Sequence, residues 1–521
     1  MQWLHHYLAT SAAPVMASLN RSRGRSLIRM APFGGDPTLY RPLLGYVRKA
    51  RSEFEEILRS LVEIPSVSMD PDRGEDIRRC AEVAADLLRT TGCRASVVRT
   101  KGNPVVLGML RHGRDLPTVL LYHHLDVQPA DPAEWHRDPF TLHRTPRGWG
   151  GRGTTDDKGP AVAALLAARY AADHGIALNL AFLWELEEEI GSPSLEGFIE
   201  RRSRSLQADS VLVSDTSWIA RGQPTVIYGL RGLLGMRLVL QTHERDLHSG
   251  LTGGVARNPL SELARALAGC QDQKTGRVTI PGFNDGVQPL TTAEMRGFLR
   301  AGFTVEGFRK AHGLTRIRPG LRSRAGVIRA LMAEPTFEVH GISGGYPGPG
   351  IKTIIPHRAE ARVSMRLVPR QDPASVAHRV RKYLIQENPD LQVTVEQQLE
   401  PFLGEFSGPY AAAARDAIRY GFGKEPVFWR EGGSIGAVVT LQRHLRVPVS
   451  LLGLSLPTDG YHAPDEHFEW RQASGGIRML VRYFDALSRI PREGVSVGKA
   501  VPQHPGKRKN PARIVIPAGE N

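Results

Sequence analysis

Apolar residues along this chain fall into two rhythms. The first is a short unbroken run of apolar or β-branched residues, as in Thr118 to Tyr122, Leu178 to Trp184, Ser210 to Ser214 and Pro448 to Leu454. A run of that length without polar alternation predicts a strand buried on both faces of a sheet. The second rhythm is a spacing of three and four: Val47, Ala50, Phe54, Ile57, Leu58 and Leu61, then Ile77, Ala81, Val83, Ala84, Leu87 and Leu88. It predicts two amphipathic helices, the first ended by Ile64-Pro65 and the second by Gly92. Shorter strand-like pieces fall at Ser96 to Val98 and Val105 to Leu110, and the Ala- and Leu-rich stretch Gly159 to Ala172 predicts a further helix. Strands alternating with helices predict an α/β fold with an open sheet.

Between residues 226 and 399 the rhythm changes. Gly232 to Leu240 is strand-like, Asn258 to Ala268 helical, Thr336 to Gly341 and Ala359 to Val368 strand-like, Ala374 to Gln386 helical, and Leu391 to Gln397 strand-like. That β-α-β-β-α-β order predicts an inserted α+β domain of ferredoxin-like type. The chain then divides into a poorly ordered N-terminal extension (1–45), a discontinuous α/β domain (46–225 and 400–487), the insertion (226–399) and a basic flexible tail (488–521). Residues 276–329 have no assigned place in this scheme.

Length and composition narrow the function. A chain of 521 residues, 41% hydrophobic, is too long for one compact core. Its apolar runs fall short of a membrane span, so no membrane partner is expected. The three cysteines, Cys80, Cys93 and Cys270, form no CxxC spacing, which argues against a disulfide framework or a thiolate zinc site and fits a reducing, cytoplasmic setting. The net charge of +15 is concentrated at the ends, with Arg21, Arg23, Arg25 and Arg29 before any acid, and Lys507, Arg508, Lys509 and Arg513 in the tail. No basic stripe interleaved with aromatics runs through the body, so a nucleic-acid partner is not expected. The acid-poor start has the composition of a transit peptide; Met16 and Met30 favour the plainer reading of a start placed upstream.

The polar residues that matter stand where the buried strands end. His124 and Asp126 follow the first run, and the glycines of GRGTTDDKG let the backbone turn and bring Asp156 toward the same point. Glu188 and Glu189 follow the run ending at Trp184, Asp215 follows Ser214, and His462 lies in TDGYHAPDE after the run ending at Leu454. In an open α/β sheet such strand exits share one crevice. His124, Asp156, Glu189, Asp215 and His462 are therefore candidate metal ligands, a nitrogen and oxygen set suited to zinc, with manganese or cobalt as alternatives. Five ligands exceed one tetrahedral ion. If Asp156 bridges two ions, each has three protein ligands and an open position.

HLDV, WHRDPF, GRGTTDDKG, EEIGS, LHSG, REGGS and a late His followed by an acidic pair, spread over Val47 to Leu487, resemble the di-zinc peptidase and deacylase family. That family includes carboxypeptidase G, aminoacylase, acetylornithine deacetylase, succinyl-diaminopimelate desuccinylase and the carnosinases. GPGIKTIIP, the strand with Arg366, and REGGS with Ser434 resemble most the carnosinase and nonspecific dipeptidase branch. The resemblance implies one metal on His124, Asp156 and Asp215 and another on Asp156, Glu189 and His462. It also implies Asp126 orienting His124, Glu188 as general base, and a cis peptide at Asp156-Asp157. His248 would be an oxyanion donor reaching the site from the partner of a homodimer, Arg366 would hold the substrate carboxylate, and Ser434 would also bind substrate. The expected activity is metal-dependent hydrolysis of an amide bond in dipeptides or short peptides. An N-acyl-amino-acid deacylase with the same site is the alternative, and a non-catalytic binding protein the alternative from another class. Asp465 stands where relatives often have Asn.

Overall fold

The computed structural model of the protein describes residues 37–203 and 206–491. Among these, the largest sheet runs in the order Arg94–Val98, Val105–Leu110, Asn179–Glu185, Thr118–His124, Ser210–Val213, Val449–Leu451, Thr225–Leu230, Phe402–Leu403, with Val427–Glu431 also paired to Thr225–Leu230. Asn179–Glu185, Thr118–His124, Ser210–Val213 and Val449–Leu451 are mutually parallel neighbours, so their carboxyl ends leave the sheet along one edge.

The unbroken apolar runs are explained by two covered faces. Val119 and Leu121 enter one core, with the helices Pro37–Val62, Gly74–Thr90, Lys158–Asp173 and Trp470–Leu487. Leu120 and Tyr122, pointing the other way by the period of a strand, enter a second core with Phe198, Ile199, Val438 and Leu441. The stretch that sequence periodicity left unplaced adds to this second core. It holds the helices Thr292–Arg300 and Val305–Ala311 and the start of Arg324–Ala333, and contributes Phe298 and Ile328, with Met332 following just beyond it. Each side chain buried this fully contributes about 1.5–3 kcal/mol. Glu294 is also buried there, paired with Arg430 and accepting the Tyr228 hydroxyl at 2.7 Å.

The first helix begins at Pro37, inside the segment read as an extension to residue 45. Leu39 and Leu43 are buried, Tyr40 donates to Asp485, and Tyr170 donates to the Leu39 carbonyl at 2.6 Å. Pro37 looks like a breaker in sequence, but the first turn of a helix has no use for its N–H groups, and Pro37 sits there. The rest of the expected extension, and all of the expected tail beyond residue 491, lie outside the described residues.

The β-α-β-β-α-β block forms a four-stranded antiparallel sheet in the order Glu338–Gly344, Arg358–Leu367, Gly232–Gln241, Gln392–Leu399. Leu263 and Leu267 from helix Pro259–Gly269, and Val376, Val380 and Leu384 from helix Pro373–Glu387, share its core with Leu234, Leu238 and Val363. This is the ferredoxin-like arrangement expected of the insertion. The edge strand Glu338–Gly344 is exposed along its whole length. No helix among the described residues is long and apolar enough to cross a membrane.

Candidate metal centre

The shared carboxyl edge positions most of the site. His124 is the last residue of its strand, Glu188 and Glu189 lie in a short 3-10 turn just past Glu185, Asp215 follows Val213 by two, and His462 lies in the loop after Val449–Leu451. Gly191 ends the glutamate turn with φ of 85°, a conformation that favours glycine. Asp156 arrives from a different direction, in the loop between strand Gly148–Gly150 and helix Lys158–Asp173. Its peptide bond to Asp157 is cis, as the resemblance implies.

Asp156 is the centre of the cluster. Its Oδ1 lies 3.0 Å from His124 Nε2 and its Oδ2 lies 3.1 Å from His462 Nε2. His462 Nε2 is also 3.2 Å from Glu189 Oε2, and His124 Nε2 is 3.8 Å from Asp215 Oδ2. All five candidate ligands thus meet, in the order Asp215, His124, Asp156, His462, Glu189. Ligand atoms of His124, Asp156 and Glu189 lie within 4.8 Å of one another, and so do those of His124, Glu188 and Asp215.

The electrostatics fit a cation. Burial raises the Asp215 carboxyl to about 7, with neighbouring carboxylates adding to the shift, and burial likewise pushes Glu188 well above the ordinary range. Burial opposes ionisation of Asp156 too, but hydrogen bonds from His124 and His462 outweigh it and hold this carboxyl below its usual value. The His462 imidazole is raised to about 10 by its bonds to Asp156 and Glu189. Carboxylates buried this close repel one another and bind positive charge. With imidazole nitrogen and carboxylate oxygen as donors and no thiolate, the set matches a hard or borderline divalent ion.

Asp126 acts differently from the expectation. His124 Nδ1 meets the Asp126 backbone carbonyl at 3.0 Å, whereas the nearer Asp126 carboxylate oxygen is 3.6 Å away. The carboxylate is spent on the glutamate turn, accepting from Glu188 N at 3.1 Å, Glu189 N at 3.0 Å and Ser68 Oγ at 2.7 Å. It therefore sets the backbone that carries both glutamates. Gln128, not anticipated from sequence, donates to Glu189 Oε2 at 2.6 Å.

Arg366 and Ser434, far apart in sequence, meet at 2.9 Å between Nη1 and Oγ, and Ser434 Oγ donates to the Arg231 carbonyl. His248 lies in the ladder that pairs Leu247–His248 with Ile354–Ile355. Its side chain is exposed, and its Nδ1 accepts from Gly250 N at 3.0 Å. Two other acids gain a place. Asp465 accepts from the backbone N–H of His136 at 3.1 Å and pairs with its ring, tying WHRDPF to the late His motif. Glu431 of REGGS is pushed up to about 7 by burial and the nearby Asp215.

Comparisons with known proteins point to one family. Residues 120–486 match the model of peptidase family M20/M25/M40. The chain is 29% identical over 478 residues to the Beta-Ala-His dipeptidase of Homo sapiens, covering 87% of this chain and 94% of that protein. It is 30% identical over 470 residues to the Cys-Gly metallodipeptidase of Schizosaccharomyces pombe, covering 85% and 97%. Among solved structures, an M20 family metallo-carboxypeptidase from Sulfolobus solfataricus superposes with a TM-score of 0.77 at 30% identity, covering 84% of this chain and all of the other. With this match over most of its length, the chain belongs to the M20/M25/M40 peptidase family.

Proposed function

We propose that this metallopeptidase hydrolyses the amide bond of dipeptides or short peptides with a free amino terminus. The observation that carries the reading is Asp156, whose two oxygens face two imidazoles. One metal ion belongs with His124, Asp156 and Asp215, the other with Asp156, Glu189 and His462; zinc is our assignment, with manganese or cobalt as alternatives. Such ions would supply a more acidic water and a polarised scissile carbonyl. Glu188 takes the proton from the attacking water and returns it to the departing amine. Asp126 keeps Glu188 aimed by holding its backbone N–H. Relatives named for Beta-Ala-His and Cys-Gly substrates support a dipeptidase over an N-acyl-amino-acid deacylase.

Arg366, half-buried beside Ser434, receives the substrate carboxylate in this reading. Arg366→Lys should raise KM about tenfold with kcat little changed, since one charge-assisted hydrogen bond is worth about 1.5 kcal/mol and 1.4 kcal/mol is tenfold in affinity. Unchanged KM would remove Arg366 from the carboxylate subsite.

We further assign the active form to a cytoplasmic homodimer in which the partner's insertion supplies His248. Support comes from the exposed edge strand Glu338–Gly344, with Val339 and Ile342, and from Leu251, Val255 and Ile351, which are 84%, 91% and 95% exposed. Large apolar side chains left this exposed suit a surface that a partner covers. With the helix Pro37–Val62 and the strand Thr225–Leu230 joined to it, the catalytic part takes residues 37–230 and 400–487, and residues 232–399 carry the lid and pairing role. The three cysteines are free and buried, which suits a reducing compartment.

The direct test compares a free-amine dipeptide with its N-acetylated counterpart, using zinc- or manganese-loaded protein with and without a chelator. Chelator-sensitive cleavage of the free dipeptide alone is the expected result. Preference for the acylated compound would make the protein a deacylase.

A further inference from the structure

We propose that Glu466 is a positioning residue of the metal centre: its carboxylate holds the main chain of residues 153–156 so that Asp156 presents one oxygen to each imidazole. Glu466 is fully buried and spends both oxygens on this loop. Oε2 accepts from Gly153 N at 2.8 Å and from Arg152 Nη1 at 2.9 Å. Oε1 accepts from Thr155 N at 2.8 Å and Asp156 N at 3.1 Å.

The need for such an acceptor is physical. The loop lies between a strand and a helix, so these buried amides belong to neither a ladder nor a helical turn and require a partner. A carboxylate satisfies several donors at once, and Arg152 balances the charge that burial would otherwise penalise. The same segment also carries His462, four residues earlier, whose Nε2 faces Asp156 Oδ2. One short stretch therefore supplies a ligand and fixes the frame of the ligand between the two imidazoles. Neighbouring bonds lock the two loops together. Gly151 N donates to the Glu466 carbonyl at 2.9 Å, Ser455 Oγ to the Thr155 carbonyl at 3.0 Å, and Thr155 Oγ1 to Asp459 Oδ2 at 3.3 Å.

This inference rests on the metal-centre reading, and its test reads metal binding rather than peptide turnover alone. Metal-free wild type and Glu466→Gln are titrated with zinc against a chromophoric chelator, and the visible spectra of the cobalt-loaded proteins are recorded. The amide puts an NH2 group where a carboxylate oxygen faces two donors, so zinc affinity should fall about 10–100-fold and the cobalt bands should shift. At saturating metal, kcat should fall with KM unchanged. Glu294→Gln, which weakens a comparably buried pair with Arg430, serves as the control and should lower Tm while leaving zinc affinity and the cobalt spectrum as in wild type. A Glu466→Gln protein that matches this control, less stable but unaltered in affinity and spectrum, would overturn the proposal. If Glu466→Gln does not fold, hydrogen exchange in the metal-free wild type decides. Slow exchange at Gly153, Thr155 and Asp156 supports a frame held by Glu466, and exchange at the rate of open loops overturns it. A wild type that binds no pair of ions would remove the metal-centre reading, a failure separate from that of Glu466.

Discussion

Glu188→Gln should keep its metal ions and lose most of its turnover, with kcat falling about a hundred- to ten-thousandfold, the range a positioned general base contributes. The amide keeps the size of the side chain and cannot accept the proton. The backbone N–H that Asp126 Oδ1 holds at 3.1 Å is untouched by the change, so the glutamate turn and its neighbour Glu189 stay in place. Measuring kcat together with metal content separates two roles that the geometry brings close, because Glu188 also lies within reach of His124 and Asp215. Full metal content with lost turnover is the expected pair of results. Loss of metal from the variant would make Glu188 a ligand, and normal turnover would leave the base unassigned. The carboxyl of Glu188 is raised by burial, with Asp215 and Glu189 adding to the shift and His124 opposing it.

Much of this site is legible in sequence because it stands at strand exits, and strand exits are visible as the ends of unbroken apolar runs. The adjacent histidines show how fine that reading can be. His124 ends its strand among carboxylates, whereas His123 is buried without a hydrogen-bond partner and burial pushes its imidazole down to about 3, so it stays neutral. Spacing to Asp126 singled out the one that faces Asp156 and Asp215. The insertion was legible for the same reason, since its strands and helices each show a clean period. What escaped has no local period. Phe298, Ile328 and Met332 are anchors scattered over short helices, and their meaning depends on Trp429 and Tyr228 packing against them from elsewhere in the chain. The burial of Leu39 and Leu43 depends on the first helix docking on Trp470–Leu487, more than four hundred residues away. The carboxylates of Asp126 and Glu466 escaped too, because their partners are backbone N–H groups, which every residue but proline carries and no sequence motif marks.

His248→Ala should lower kcat about a hundred- to a thousandfold, the cost of removing one oxyanion donor, while leaving metal content unchanged. The chemistry of the ring supports the role. Nδ1 accepts from Gly250 N at 3.0 Å, so in the neutral imidazole the proton resides on Nε2, which is left to donate. Its exposed position, on the insertion with Leu251 and Val255 nearby, suits a donor that acts in a neighbouring subunit. Mixing His248→Ala with Glu188→Gln tests this directly. In a mixed dimer one active site combines the intact Glu188 of the first variant with the intact His248 of the second, and the other site has neither. Random exchange of equal amounts makes half the dimers mixed, so activity should recover to about a quarter of wild type per subunit in a two-fold symmetric assembly. A His acting within its own subunit would leave every site with one defect. Subunit exchange confirmed by mass or by labelled chains, without recovery of turnover, would overturn the cross-subunit role of His248.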